Sequence, residues 1–178
     1  MAPILELMDA GERSLGDSLD DFRSQFEALN QKGEDERSDG QNASAPPAVR
    51  AAAYGRFRES IQRAAIAVNT LTELKPGLVG AVWTWPAALR SNRALLENTT
   101  NASIAFAEIT AVGTKDPVQA ASKVLEGFFK LCQEVEPPEW WSFRHTPQRR
   151  AGYETQRTAL YALLREFIEM SRRDLGWG

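Results

Sequence analysis

The chain has 178 residues, is 43% hydrophobic and 25% charged, and carries a net charge of −3, the usage of an ordinary globular protein long enough to bury one sizeable core. Its one histidine and one cysteine exclude a disulfide framework, the usual zinc ligand sets and the paired Glu-x-x-His sites of a di-iron bundle. With no Lys/Arg run longer than two, it lacks the concentrated basic face that nucleic acid binding needs, so nucleic acid is not an expected partner.

The first predicted helix covers about residues 3–30. Leu15, Leu19, Phe22, Phe26 and Leu29 recur at steps of three and four, which places them in one apolar stripe. Gly11 and Gly16 weaken its first half by roughly 1 kcal/mol each relative to alanine. Nothing at this start resembles a charged n-region followed by an apolar h-region and a cleavage site, which predicts a cytoplasmic protein. Residues 1–40 hold eleven Asp or Glu against four Lys or Arg, a balance of −7, whereas the rest of the chain has 17 basic and 13 acidic residues, hence +4. The two regions attract one another, within a molecule or between molecules.

Residues 32–47 are rich in Gly, Asp, Glu, Ser and Asn, have almost nothing apolar to bury and end in Pro46-Pro47, the composition of a disordered linker. The predicted organisation is an acidic N-terminal helix (1–31), this linker (32–47) and a bundle core (48–178). The linker lets the first helix dock flexibly or swap onto a neighbouring molecule. A second helix follows over about residues 48–74, with Tyr54, Phe57, Ile61, Ala64, Val68 and Leu71 on its seam, and closes at Pro76-Gly77.

Leu78 to Trp85 is apolar almost all round, contains Trp83 and Trp85, and is bracketed by Pro76 and Pro86. It is far short of the ~20 residues that span a bilayer. It reads as a buried crossover or hinge between helices or, alternatively, as an interfacial anchor, since a tryptophan ring with its polar N–H suits a boundary between water and apolar material.

Pro86 suits the first position of a third helix that runs to about Val112. Leu95, Thr99, Ala102, Phe106 and Ile109 follow the spacing, although Asn92 and Thr99 dilute the stripe and Asn98-Thr99-Thr100-Asn101 interrupts it, a pattern that marks register control or a groove edge. After Gly113-Thr114, Asp116-Pro117-Val118-Gln119 carries a cap, a first-turn proline and a Gln three residues past the cap, which opens a fourth helix to about Val135. Val118, Ala121, Leu125, Phe128, Cys132 and Val135 form its seam. Cys132 on that seam reads as a buried structural thiol, and Phe129, beside Phe128, falls on a second contact face.

Residues 136–148 form an aromatic loop with Trp140, Trp141 and the lone His145. The Trp-Trp pair either seals the end of a bundle or makes a ligand or partner contact. The last helix starts at Thr146-Pro147 and reaches about Asp174, with Leu160, Leu163, Phe167 and Met170 on its seam and a short tail carrying Trp177. Its pairs Arg149-Arg150 and Arg172-Arg173 read as solvated helix faces rather than an acidic-partner site. The whole is an all-α helical bundle of four to five amphipathic helices with a disordered linker after the first.

Catalytic signals are nearly absent. The chain has no Gly-x-Ser-x-Gly elbow, Gly-x-Gly-x-x-Gly turn or Walker phosphate loop, and its carboxylates are spaced along solvated helix faces. No catalytic residue, cofactor or metal is expected, and the protein is not expected to be an enzyme.

The stretch from Arg93-Ala94-Leu95-Leu96-Glu97 through Lys115-Asp116-Pro117-Val118-Gln119-Ala120-Ala121 to Phe129 resembles the phasins, helical proteins that coat intracellular polyhydroxyalkanoate granules. The likeness covers about residues 86–136 and consists of an Ala/Thr/Asn-rich helix, a short break, and a Lys-Asp-Pro start to an amphipathic helix with paired aromatics. The five tryptophans, the aromatic loops and the helix after Thr146 depart from that pattern. The resemblance implies a non-catalytic protein that self-associates and lays apolar side chains on a granule or lipid surface, with Trp83, Trp85, Phe129, Trp140 and Trp141 as the contacts. A different class is implied by the detachable acidic helix and the basic final one: a structural subunit whose bundle is completed by a helical partner or a neighbouring copy. A bundle that binds a small ligand through its Trp-rich loops is the third reading.

Overall fold

The computed structural model describes residues 45–73, 80–135 and 147–177, together with Ser24 and Ala28, both helical. The rest of the predicted first helix, the linker up to residue 44 and most of the second aromatic loop lie outside the described residues. Four helices make up nearly all of what is described: α1 (Pro47–Glu73), α2 (Gly80–Val112), α3 (Lys115–Val135) and α4 (Pro147–Asp174). No strand occurs among these residues, and none of their helices is long and apolar enough to cross a membrane.

Local chemistry sets the helix ends. Pro46 accepts the first α1 bonds on its carbonyl, from the N–H groups of Val49 at 2.9 Å and Arg50 at 3.2 Å, and Pro47 takes the first helical position, where no N–H is needed. At the α2–α3 corner the Gly113 N–H bonds back to the Ile109 carbonyl at 2.7 Å, and Val118 N–H reaches the Thr114 carbonyl at 3.3 Å. The helix therefore begins at Lys115, one residue ahead of the predicted Asp116 cap. Pro117 still falls in the first turn, where its missing donor costs nothing. The end of α4 closes with Gly176 at φ +72°: Trp177 N–H bonds to the Arg172 carbonyl at 2.9 Å and Gly176 N–H to Arg173 at 3.1 Å, the six-to-one and five-to-two pair that satisfies terminal carbonyls.

One element departs from the sequence reading. Residues 80–85, read as a crossover or hinge, are the opening of α2, and Pro86 lies in its seventh position rather than its first. Proline there leaves the Val82 carbonyl without its usual donor, which a helix tolerates close to its start far better than in its middle.

The predicted seams form the core. Phe57, Ile61, Ala64 and Val68 from α1, Ala102, Phe106 and Ile109 from α2, Val118, Ala121, Leu125 and Phe128 from α3, and Leu160 and Phe167 from α4 are essentially inaccessible to water. In α4 the stripe is rotated slightly: Leu164 is fully buried whereas Leu163 and Met170 are only partly so. Consecutive helices are antiparallel, and the molecule is two hairpins, α1 with α2 and α3 with α4, laid against each other. Small residues let each hairpin close tightly: α1 and α2 bury Ala53, Ala64, Ala67, Ala102 and Ala105. Gly127 leaves room on α3 for Leu163 and Leu160 of α4, the former 2.7 Å from where a Cβ would stand. Bulky rings fill the space between the hairpins. Phe57 meets Phe167 edge-on at 5.2 Å, a geometry that adds about 1 kcal/mol to simple burial, and lies tilted against Phe106 at 6.3 Å.

Candidate functional site

Up-down-up-down connectivity gathers the start of α1, the α2–α3 corner and the end of α4 at one end of the bundle. A polar clasp joins them there. Asp174 accepts hydrogen bonds from three groups: Arg50 Nη1 at 3.0 Å and Thr114 Oγ1 at 2.6 Å on Oδ1, and the Tyr54 hydroxyl at 2.8 Å on Oδ2. The Arg50 and Asp174 side chains are only 15% and 7% exposed, so a charged pair and two hydroxyls are held largely away from water, an arrangement that survives only because each charge is met by a partner. Burial, and then the bond to Asp174, push the Tyr54 hydroxyl well above its ordinary pKa. Arg50 Nε and Ser171 Oγ are buried at this end without a hydrogen-bond partner. Sequence reasoning placed Tyr54 on the apolar seam and missed the clasp. One signal was present: a carboxylate in the last turn of a helix opposes the macrodipole and needs a compensating cation.

Towards the other end, α1 and α4 are tied by Asn69, whose Oδ1 accepts from the Tyr153 hydroxyl at 3.0 Å and Arg157 Nη1 at 3.2 Å. Arg157 also lies 5.8 Å over the Tyr153 ring and pairs with Glu154 at 2.6 Å. Burial raises the Tyr153 pKa, with Thr72 and Arg157 opposing it.

Trp83 and Trp85 lie in the first two turns of α2. Arg56 pairs with Glu108 at 2.8 Å and Phe57 packs on Phe106, a register that brings the end of α1 level with about residue 91 of α2. α3, 21 residues long from the Gly113 corner, ends at about the same level. The opening of α2, with both tryptophans, thus overhangs α1 and α3 by about 16 Å at the helical rise per residue. The α3 end and α4 start, joined by residues 136–146, belong to this same end. Trp140, Trp141 and His145 lie outside the described residues. Phe129 is partly buried and packs against the core.

Between α1 and α2, on the outside of the bundle, runs a groove of about 170 Å3 lined by Arg56, Glu59, Arg63, Asn98, Asn101 and Ile104, among others. Asn98 and the neighbouring Thr99 and Thr100 turn their side chains back to carbonyls of their own helix, those of Ala94 and Leu96. Thr99 is thereby satisfied although it is only 3% exposed, so the polar interruption of the stripe takes no partner from another helix. Asn98 and Asn101 do stand at a groove edge.

Among the described residues no group of three or more His, Cys, Asp or Glu side chains could hold a metal ion. Cys132 is buried and in no disulfide, as its seam position predicts. No protein-family model, curated protein or solved structure matches the chain.

Proposed function

We propose that this is a non-catalytic protein that works by contact: it self-associates and attaches to an apolar surface, a granule or a lipid layer, in the manner the phasin resemblance implies. The observation that carries this reading is the difference between the two ends of the bundle. The clasp end is fastened by buried polar bonds around Asp174. At the opposite end the apolar opening of α2, with Trp83 and Trp85 on it, overhangs α1 and α3, and the sequence adds Trp140 and Trp141 to the connection there. Tryptophan is the side chain best suited to an interface, because it combines a large apolar area with one N–H donor. The filled core argues for an intact body that anchors through one end rather than a bundle that opens flat, since exposing its buried rings would cost about 2 kcal/mol for each.

Flotation of the full chain with apolar particles, and separately with liposomes, tests the proposal. The wild-type protein is expected to float with a blue-shifted tryptophan emission, and the paired substitutions Trp83→Ser and Trp85→Ser to cut the bound fraction at least tenfold with the helical circular dichroism retained. A chain that stays in the soluble fraction with unchanged emission refutes the reading. An alternative, a subunit completed by a helical partner, rests on the acidic segment and the basic final helix. It predicts capture of that partner with no flotation.

A further inference from the structure

We infer that the outer face of α1 and α2 is the surface through which two copies of this chain associate; the inference rests on the self-association part of the proposed reading. Five large hydrophobic residues are exposed among those described, and two of them share this face: Ile66 at 63% and Ile104 at 56%. Ile104 lines the α1/α2 groove, and Ile66 lies one turn beyond Arg63, the groove residue next to it on α1. Of the other three, Val49 lies at the first turn of α1, two turns before the groove begins at Arg56, and Tyr161 and Trp177 lie on α4 and past its end. Two aliphatic side chains flanking an open groove give an incoming surface both a knob to receive and a hole to fill.

Charge complementarity fits another copy as the partner. The face presents Arg56 and Arg63 together with Glu59 and Glu108, joined as Arg56–Glu108 at 2.8 Å and Arg63–Glu59 at 2.6 Å. It is neutral and mixed in sign, so it does not repel a copy of itself, and it offers nothing particular to a polyanion or a strongly acidic partner. A twofold axis along the helices sets α1 of one copy over α2 of the other at equal height, so that Arg56 and Glu108 of one copy come over Glu108 and Arg56 of the other, while Glu59 and Arg63 stay paired within their own helix. Asn98 and Asn101 add amide groups for the rim. Two helices of this length present about 800 Å2, the contribution of one partner to an interface of standard size. The face is remote from the overhanging opening of α2, so a pair formed this way leaves both aromatic ends free for a surface.

Sedimentation equilibrium of the full chain between 1 and about 500 μM measures this. The wild-type protein is expected to form a dimer. Ile66→Asp and Ile104→Asp, at exposed positions where the fold does not depend on the side chain, are each expected to raise the dissociation constant at least tenfold with an unchanged circular dichroism spectrum. Tyr161→Asp, equally exposed on α4, should leave it unaltered. A dimer indifferent to both isoleucine substitutions overturns the assignment of the face while leaving self-association standing. A wild-type chain that remains a monomer throughout overturns both, and flotation of that monomer would still uphold attachment to a surface.

Discussion

Asp174 concentrates more of the tertiary chemistry than any other single residue described. Its carboxylate collects a guanidinium from the start of α1, a phenol one turn later and a hydroxyl from the α2–α3 corner. Replacing it with alanine strands three donors, one of them charged, in a poorly hydrated place. Asp174→Ala is expected to lower unfolding stability by about 3 kcal/mol in a urea titration, whereas Asp174→Asn, which keeps the shape and one acceptor oxygen but not the charge, should cost less. Tyr54 adds a pH dependence of defined sign. Its folded-state pKa is raised by burial and by Asp174, so the unfolded chain gives up the phenolic proton first. The stability it contributes is complete below the unfolded value near 10 and falls as pH rises above it, by at most about 1.4 kcal/mol per pH unit. Tyr54→Phe should therefore flatten the alkaline limb of the stability profile, at a cost of about 1 kcal/mol at neutral pH for the lost bond.

At the scale of elements, the tightest constraint is the corner between α2 and α3. A Cβ on Gly113 would stand 2.7 Å from the Ile109 carbonyl oxygen and 3.1 Å from the Tyr54 hydroxyl, and the backbone oxygen cannot move without lengthening the last bond of α2. Gly113→Ala is expected to destabilise the protein by about 2 kcal/mol, read from the thermal midpoint, and to perturb the Tyr54 bond with it. Gly127 tolerates more, because the atom in the way is the end of a leucine side chain. The opening of α2 shows where element-level reading fails. Two prolines around an apolar run look like the borders of a loop, yet Pro86 is accommodated within a helix of 33 residues, since a single missing donor near a helix start is outweighed by the bonds on either side.

Over the whole molecule, the seams of α1 to α4 were legible before any coordinates. Positions such as Phe57, Ile61, Leu125 and Phe167 repeat at the helical period, and a stripe of that width has nowhere to go except against other helices. The clasp was not legible in that way. Arg50, Tyr54, Thr114 and Asp174 lie up to 124 positions apart and share no spacing, and they meet only because alternating helix directions return three chain segments to one end. The α1/α2 face was illegible for a related reason: Ile66 and Ile104 look like ordinary helix residues until the packing of α1 on α2 leaves both outside. The sequence by itself determined the four described helices, their buried stripes and the scarcity of histidine and cysteine, because these follow from periodicity and residue type, which are local. Tertiary structure alone decided which polar groups meet, how far α2 extends past α1 and α3 and which apolar side chains remain in water, because those depend on register and chain direction, and the helical period carries no information about either.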